Sequence, residues 1–429
     1  MNKSARFLNF LQAENLFRIG ILTLASAPFL SSIIFLIAIL SVNNSKLNFF
    51  QDRWNISLII SSLLMIIGLV YLNTNANSPI LKNQWDSNLS LLGLFNWIPF
   101  FWFFWKCQNF LATPMQRRIC SIFFIAGTFP VLISGFGQFY FGWEGPLELF
   151  NGFIIWYQRP LKGISGMTGM FNNPNYTGAW LSFVIPFTLA SFQEDRKSIL
   201  IRISSFLNFS MVFLGLIITY SRGAWFCSLI AIFFQNLDKK FIEFLKLFFT
   251  FLLFTLPIFF IFKENILFLI NKIIPSIFLS EFNQDSFKNL DLMRIEIWGF
   301  AFKFILQRPI FGWGSGYFPL ALENETGFWK GHPHNLILEA YFNYGIIVGT
   351  ILLIFVLTLI IKSFKNVFIR KIPTIYDRAW FTSTLTLLTS QLVDQQYLDI
   401  RISLSIWILL AGLRNMIREQ HSIIKTNSP

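Results

Sequence analysis

The sequence predicts an all-α polytopic membrane protein, a bundle of about 11–12 transmembrane helices with a large outward-facing helical loop. Three observations predict it. Only 13% of residues are charged, against roughly 25% in a soluble domain. Phenylalanine occurs 55 times, more than a soluble core of 429 residues would hold. Apolar runs near 20 residues recur from end to end, the length that spans about 30 Å of hydrocarbon. Lipid offers no partner for open backbone groups, so such spans must be helical. Residues 1–429 read as one integral domain rather than two soluble ones.

Spans are expected near residues 18–40, 55–72, 88–105, 119–140, 175–192, 201–220, 223–237, 241–262, 336–361, 379–394 and 402–417. The first contains Pro28 and reads as one helix or as two folded back in a hairpin. The short loops 41–54, 106–118, 193–202, 238–240 and 362–378, with the tail from Arg414, fall on one side by alternation. They hold most of the basic residues, among them Arg117, Arg118, Lys239, Lys240, Arg370 and Lys371. The opposite short loops hold few: Lys82, Arg159, Lys162, Arg222 and Arg401. Basic residues favour the cytoplasmic face. The first set is therefore expected inside, and two longer polar segments, residues 141–174 and 263–335, outside. Lys3, Arg6 and Arg18 also prefer the cytoplasm, which favours the hairpin and 12 helices.

The net charge of +13 would suggest nucleic acid in a soluble protein. Here the cations set orientation, and no nucleic-acid partner is expected. Cys107, Cys120 and Cys227 lie in or beside spans, an odd number without CxxC spacing. That argues against a disulfide framework or a zinc site. The first apolar run has no clear small-residue cleavage site and is followed by more spans, so no cleavable signal peptide is expected. Within 263–335, residues 289–307 read as an amphipathic helix with Leu292, Ile295, Phe302 and Ile305 on one stripe. Pro309 restrains Arg308 from helical geometry and closes it. Such a helix lies on the membrane surface or over the bundle.

The centres of the spans hold essentially no ionisable residue, where an ion-coupled carrier usually keeps some. On the outward side four groups stand out. Arg222, in Thr219-Tyr220-Ser221-Arg222-Gly223-Ala224, precedes a span of about 15 residues, roughly 22 Å long. It should lie recessed below the outer surface; the alternative is an arginine snorkelling to headgroups. Arg294 sits on the amphipathic helix, where a solvated or headgroup role is the plainer reading. His332-Pro333-His334-Asn335 leads into the span 336–361 and holds two of the three histidines. A histidine can be structural, a metal ligand or a base at neutral pH. No Cys or third His lies near, so no metal is expected. Asn172-Asn173-Pro174-Asn175 is a turn followed by a helix start. Gly312-Trp313-Gly314-Ser315-Gly316 follows a helix, not a strand, and is a flexible loop rather than a nucleotide cradle.

These pieces, in this order, resemble the family of O-antigen ligases and related polysaccharide polymerases. The resemblance runs over residues 163–349. It rests on Gly169-Met170-Phe171-Asn172-Asn173-Pro174-Asn175, Tyr220-Ser221-Arg222-Gly223-Ala224 and Arg294-Ile295-Glu296-Ile297-Trp298. It continues with Pro309-Ile310-Phe311-Gly312-Trp313-Gly314, His334-Asn335 and Gly345. Two places depart from the family's usual pattern. Val348 stands where Gly, Thr or Tyr is usual, with Gly349 one place late, and Gly166-Met167-Thr168 lacks the basic residue often found before the Asn-Pro-Asn turn.

The resemblance implies a metal-independent, inverting glycosyltransferase or ligase without cofactors. It implies a multi-pass protein of the bacterial inner membrane whose active site faces the periplasm. The donor would be a polyprenyl-diphosphate-linked glycan, and the acceptor a lipid or another glycan. A diphosphate leaving group needs fixed positive charge, which an arginine fork supplies bidentately. Arg222 and Arg294 are the candidates. His334 is the candidate base, contributing on the order of 10²–10⁴-fold. Asn335 or Glu339 would orient it. Arg159, Lys162, Asn173 and Asn175 are supporting candidates, and Trp143, Trp156 and Tyr157 would stack sugars or form an interfacial belt. Three function classes stay open: a ligase, a polymerase using the same donor, and a solute carrier of the bicarbonate type.

Overall fold

The computed structural model describes residues 3–42, 49–75, 85–161, 166–194, 198–237, 284–369 and 374–427. The expected span 241–262, Lys162, Lys82 and residues 263–283 of the expected outer loop lie outside them. The chain is all-α apart from one short hairpin. Among the described residues, five helices are long and apolar enough to cross a membrane: Arg53–Thr74, Pro114–Phe141, Ile199–Ile218, Leu336–Phe368 and Ile400–Glu419.

The first apolar run is two helices, α1 (Lys3–Thr23) and α2 (Pro28–Ser41), packed on each other. Pro28 opens α2, where its missing N–H costs nothing. The Ser31 hydroxyl donates to the Gly20 carbonyl at 2.7 Å and staples the pair. After α3 (Ile56–Thr74), the apolar run 88–105 departs from the single span expected. It is two helices, α4 (Ser87–Phe95) and α5 (Ile98–Cys107). Pro99 has no N–H to donate, and its ring blocks the carbonyl four residues earlier. Two buried tyrosines use the carbonyls at the break: Tyr344 donates to Gly93 O and Tyr397 to Asn96 O, both at 2.9 Å.

Helix α6 (Pro114–Phe141) opens with a capping box on Thr113. The segment that follows carries the hairpin β1 (Leu147–Leu149) and β2 (Ile154–Trp156). It then returns over the ends of the helices. Met167 N–H donates to Ile218 O at 2.9 Å, and the amide of Gln138 holds both Thr168 and Gly169 N–H groups. Helix α7 (Pro174–Gln193) is the centre of the bundle, with every residue from Thr177 to Ala190 buried. Helices α8 (Ile199–Ile218) and α9 (Arg222–Gln235) pack against it. At 14 residues, α9 is about 21 Å long, too short for the full hydrocarbon layer.

A lobe at one end of the bundle comprises α10 (Gln284–Gln307) and α11 (Phe318–Thr326). Of the stripe read from sequence, Ile305 is buried, while Ile295 and Phe302 face away from the packed side. Ile297, Phe300, Ala301, Phe304 and Ile305 pack with Trp313, Phe318 and Phe342, whereas Ile295, Phe302 and Leu306 are exposed. The helix is apolar on two sides, and the aromatic partners decide which one turns inward.

Helix α12 (Leu336–Phe364) is broken at Gly345, whose φ of 84° and ψ of 167° only glycine adopts readily. The break frees backbone groups, and the loop after α10 takes them. Trp313 N donates to Phe342 O at 2.8 Å, Gly314 N to Asn343 O at 3.1 Å, and Ile346 N to Pro309 O at 2.7 Å. The glycine-rich loop is thus ordered rather than flexible. Helices α13 (Ile375–Val393) and α14 (Ile400–Asn427) complete the bundle. Along α13 the hydroxyls of Thr382, Thr384, Thr386 and Thr389 return to the carbonyls four residues earlier, which satisfies them inside the core.

One end of the bundle is cross-linked by charge. Arg117, fully buried, contacts Asp377 at 2.7 Å and Glu419 at 2.8 Å, joining α6, α13 and α14. Arg118 pairs with Glu194 at 2.8 Å. These residues belong to the loops whose basic content predicts an inner face. The other end carries the starts of α7, α9 and α12 and the lobe of α10 and α11.

Candidate functional site

Three helix starts converge at that end, each for a local reason. At α7, Asn173 is the N-cap and its side chain accepts from Asn175 N at 2.8 Å, with Pro174 at the first helical position. At α9, Ser221 occupies the N-cap but leaves the helix amides uncapped by its side chain. Its hydroxyl instead donates to Asn175 Oδ1 at 2.9 Å, tying the two starts together. At α12, the Asn335 side chain accepts from Ile337 N and Leu338 N at 3.0 and 3.1 Å, and its amide donates to Leu392 O at 3.1 Å.

His334 immediately precedes this cap. Its φ of 54° places it in the left-handed region, where histidine is among the residues tolerated. Its Nδ1 lies 2.7 Å from Asp394 Oδ1, at the end of α13. Burial works to raise the Asp394 pKa. The hydrogen bond from His334 and the charges of His334, His332 and Arg294 outweigh it and hold the carboxyl below its ordinary value. An ionised Asp394 can only accept, so His334 Nδ1 donates in this contact. Pro333 is fixed by Trp298 of α10, whose Nε1 donates to its carbonyl at 2.9 Å. His332 Nδ1 accepts from the His334 backbone N–H at 3.2 Å, and the two rings lie 4.5 Å apart. Burial first, then the neighbouring His334, lower the His332 pKa to about 4.

Beside this pair is a small cavity of about 20 Å³ lined by Asn175, Ser221, Gly223, Arg294, Ser390 and Asp394. A guanidinium and the first turn of α9 thus face one volume. Helix N-termini and arginine forks both favour anions. Arg222 is the first residue of α9, half-buried, next to Gly223 on the cavity wall. Arg159 lies further out, donating from Nε to Asn172 Oδ1 at 2.6 Å. Trp156 donates to Ser26 O at 2.8 Å, whereas Trp143 is exposed. Glu339 does not contact His334. Its Oε1 accepts from Asn343 at 3.3 Å, and Asp394 makes the contact that the sequence reading gave to Glu339 or Asn335.

Two contributors were missed in the sequence. Asp394 was counted as the last residue of a span, although an acid beside a helix end and opposite a histidine-bearing loop was a usable signal. Arg401 was read as a loop cation. It is buried, pairs with Asp399 at 2.6 Å, donates to Met170 O at 3.1 Å and lies 4.0 Å from the centre of the Phe171 ring. It therefore anchors the segment that leads into Asn173. The turn bearing Asp394 is held by a reciprocal pair, with Gln391 Nε2 donating to Gln396 Oε1 at 2.8 Å and Gln396 N to Gln391 Oε1 at 3.0 Å.

Residues 207–360 match the family described as O-Antigen ligase. The chain is also 24% identical over 239 residues, 52% of its length, to a ComP-specific O-oligosaccharyltransferase of Acinetobacter baylyi. It spans 39% of the length of that relative. The matched region contains Arg222, Arg294, His334 and the break at Gly345.

Proposed function

We propose, with that likeness to the O-antigen ligases as premise, that this chain is a glycan ligase of the bacterial inner membrane. It moves a glycan from a polyprenyl-diphosphate donor to an acceptor hydroxyl on the periplasmic face. The single observation that carries the reading is the His334–Asp394 pair at 2.7 Å beside a cavity that Arg294 lines.

The acceptor hydroxyl gives its proton to His334 Nε2 as its oxygen attacks the anomeric carbon. The bond from that carbon to the diphosphate oxygen breaks, and the electron pair leaves with the diphosphate. Attack opposite the leaving group inverts the centre. Asp394 keeps Nδ1 protonated and stabilises the imidazolium that forms, as a carboxylate does in a histidine-containing triad. Arg294, Arg222 and the amides of α9 hold the growing negative charge. No step here requires a metal. A larger cavity of about 300 Å³ adjoins the site between α12, α13 and α14, lined by Leu336, Ile337, Val356, Leu388, Leu392 and Trp407. Its walls suit the first isoprene units of the donor.

The carrier alternative is less well supported. Ionisable groups of the described spans sit near their ends, such as Arg117 in α6, Glu339 in the first turn of α12 and Asp377 in that of α13. The test is transfer by purified, lipid-reconstituted protein from a lipid-linked donor. His334→Ala should lose roughly 10²-fold or more with donor binding kept. Asp394→Asn should lose a comparable factor, because the amide can present its N–H and stabilise the wrong tautomer. Wild-type rates in both variants would overturn the reading. In cells lacking the protein, full-length glycan left on the lipid carrier identifies a ligase, and single repeat units a polymerase.

A further inference from the structure

His332 has no task in the transfer just described, yet its ring lies 4.5 Å from that of His334. One ligand atom each from His332, His334 and Asp394 lie within 4.8 Å of one another. We propose that these three residues form a binding site for a divalent transition-metal ion of the zinc class, and that the bound ion inhibits the enzyme by occupying its base.

The donor set is two imidazoles and one carboxylate, which suits zinc and its neighbours and is ill suited to magnesium or calcium. In a tetrahedral site with bonds of about 2.0–2.2 Å, ligand atoms sit roughly 3.3–3.6 Å apart. The three atoms lie within 4.8 Å of one another, so a bound ion would draw them closer by side-chain rotation. The backbone prearranges them. Pro333 stiffens the link between the two histidines, the positive φ of His334 turns its ring back toward His332, and Trp298 pins the Pro333 carbonyl. The His334 side chain is 27% exposed, so an ion has a path from solvent. Binding through His334 Nδ1 leaves the ring proton on Nε2, so the atom that would take the acceptor's proton has no lone pair. The resulting complex has no free His334–Asp394 dyad.

The proposal is separate from the transfer reaction, because ion binding is measurable without a donor. The test uses the full chain, purified in lipid nanodiscs and stripped with a chelator. Zn²⁺ is titrated by calorimetry, and Co²⁺ is followed by its visible ligand-field bands. The wild type should bind one equivalent of Zn²⁺ and show a tetrahedral cobalt spectrum. His332→Asn keeps an acceptor for the His334 N–H but removes a ring ligand. It should weaken Zn²⁺ binding by at least about tenfold. In the transfer assay, Zn²⁺ should inhibit the wild type and a chelator should restore it. His332→Asn should retain basal turnover and need about tenfold more Zn²⁺ for the same inhibition. Zinc affinity unchanged in both His332→Asn and His332→Ala would overturn the site. Zinc bound at this site with turnover undiminished would overturn the inhibition. Loss of transfer in His334→Ala bears on the proposed reaction and leaves the calorimetric result standing.

Discussion

At the scale of single residues, the proposed mechanism divides labour between charge that is fixed and charge that moves. Arginine stays ionised and presents a planar fork, so it holds a diphosphate throughout a reaction. Histidine changes charge near neutral pH, so it can take a proton during one. Arg294 and His334 reach the same place from different elements, and Asp394 touches one and senses the other. We expect Arg294→Ala and Arg222→Ala each to abolish transfer while expression is unchanged. Lysine at either position should rescue poorly, since a point charge replaces two parallel hydrogen bonds. The comparison is of initial rates in reconstituted protein at equal amounts. Full activity in Arg222→Ala would return that residue to a headgroup contact. Residue types and spacing made His334 and both arginines candidates, and the structure places His334 beside a cavity that Arg294 lines. Asp394 was not legible in the sequence, because it lies 60 residues from its partner and only the fold brings α13 to the start of α12.

At the scale of elements, α12 and the loop after α10 are one unit. The helix lacks a normal turn at Gly345, and Pro309 to Gly314 supply the missing partners. A Cβ at Gly345 would stand 2.1 Å from Ile310 O, and its φ of 84° is hostile to any side chain. Gly345→Ala should therefore destabilise by at least about 1–3 kcal/mol from backbone strain alone, before the clash is counted. Thermal unfolding in detergent, followed by tryptophan fluorescence, should show a clear fall in Tm. An unchanged Tm would mean that the break is not needed. The sequence revealed these elements unevenly. Apolar runs gave α3, α6, α8 and α12 their approximate places, and Pro28 signalled the hairpin. Pro99 carried an equal signal within the run 88–105, but the continuous apolar pattern outweighed it in the reading. The face that α10 buries was not legible, since both its sides are apolar and only the positions of Trp313, Phe318 and Phe342 choose between them.

At the scale of the molecule, the two ends of the bundle differ in kind. One is bound by the Arg117, Asp377 and Glu419 network, and the other bears the site. The distribution of Lys and Arg predicts that the first end is cytoplasmic. The three native cysteines are buried, so single cysteines introduced at the surface can be labelled cleanly. Glu323→Cys should react with an impermeant maleimide on intact cells, and Lys365→Cys only after the membrane is opened. The reverse pattern would invert the topology and remove the periplasmic assignment. The bonds between the loop after α10 and the break in α12 have one more consequence, for recombination. Exchanging outer lobes between relatives is a natural way to ask what sets acceptor choice. A crossover placed between residues 316 and 342 would separate Trp313, Gly314 and Pro309 from the groups they satisfy on Phe342, Asn343 and Ile346. Chimeras should therefore inherit residues 309–346 as a single cassette, because the lobe and the first turns of α12 share one set of backbone hydrogen bonds.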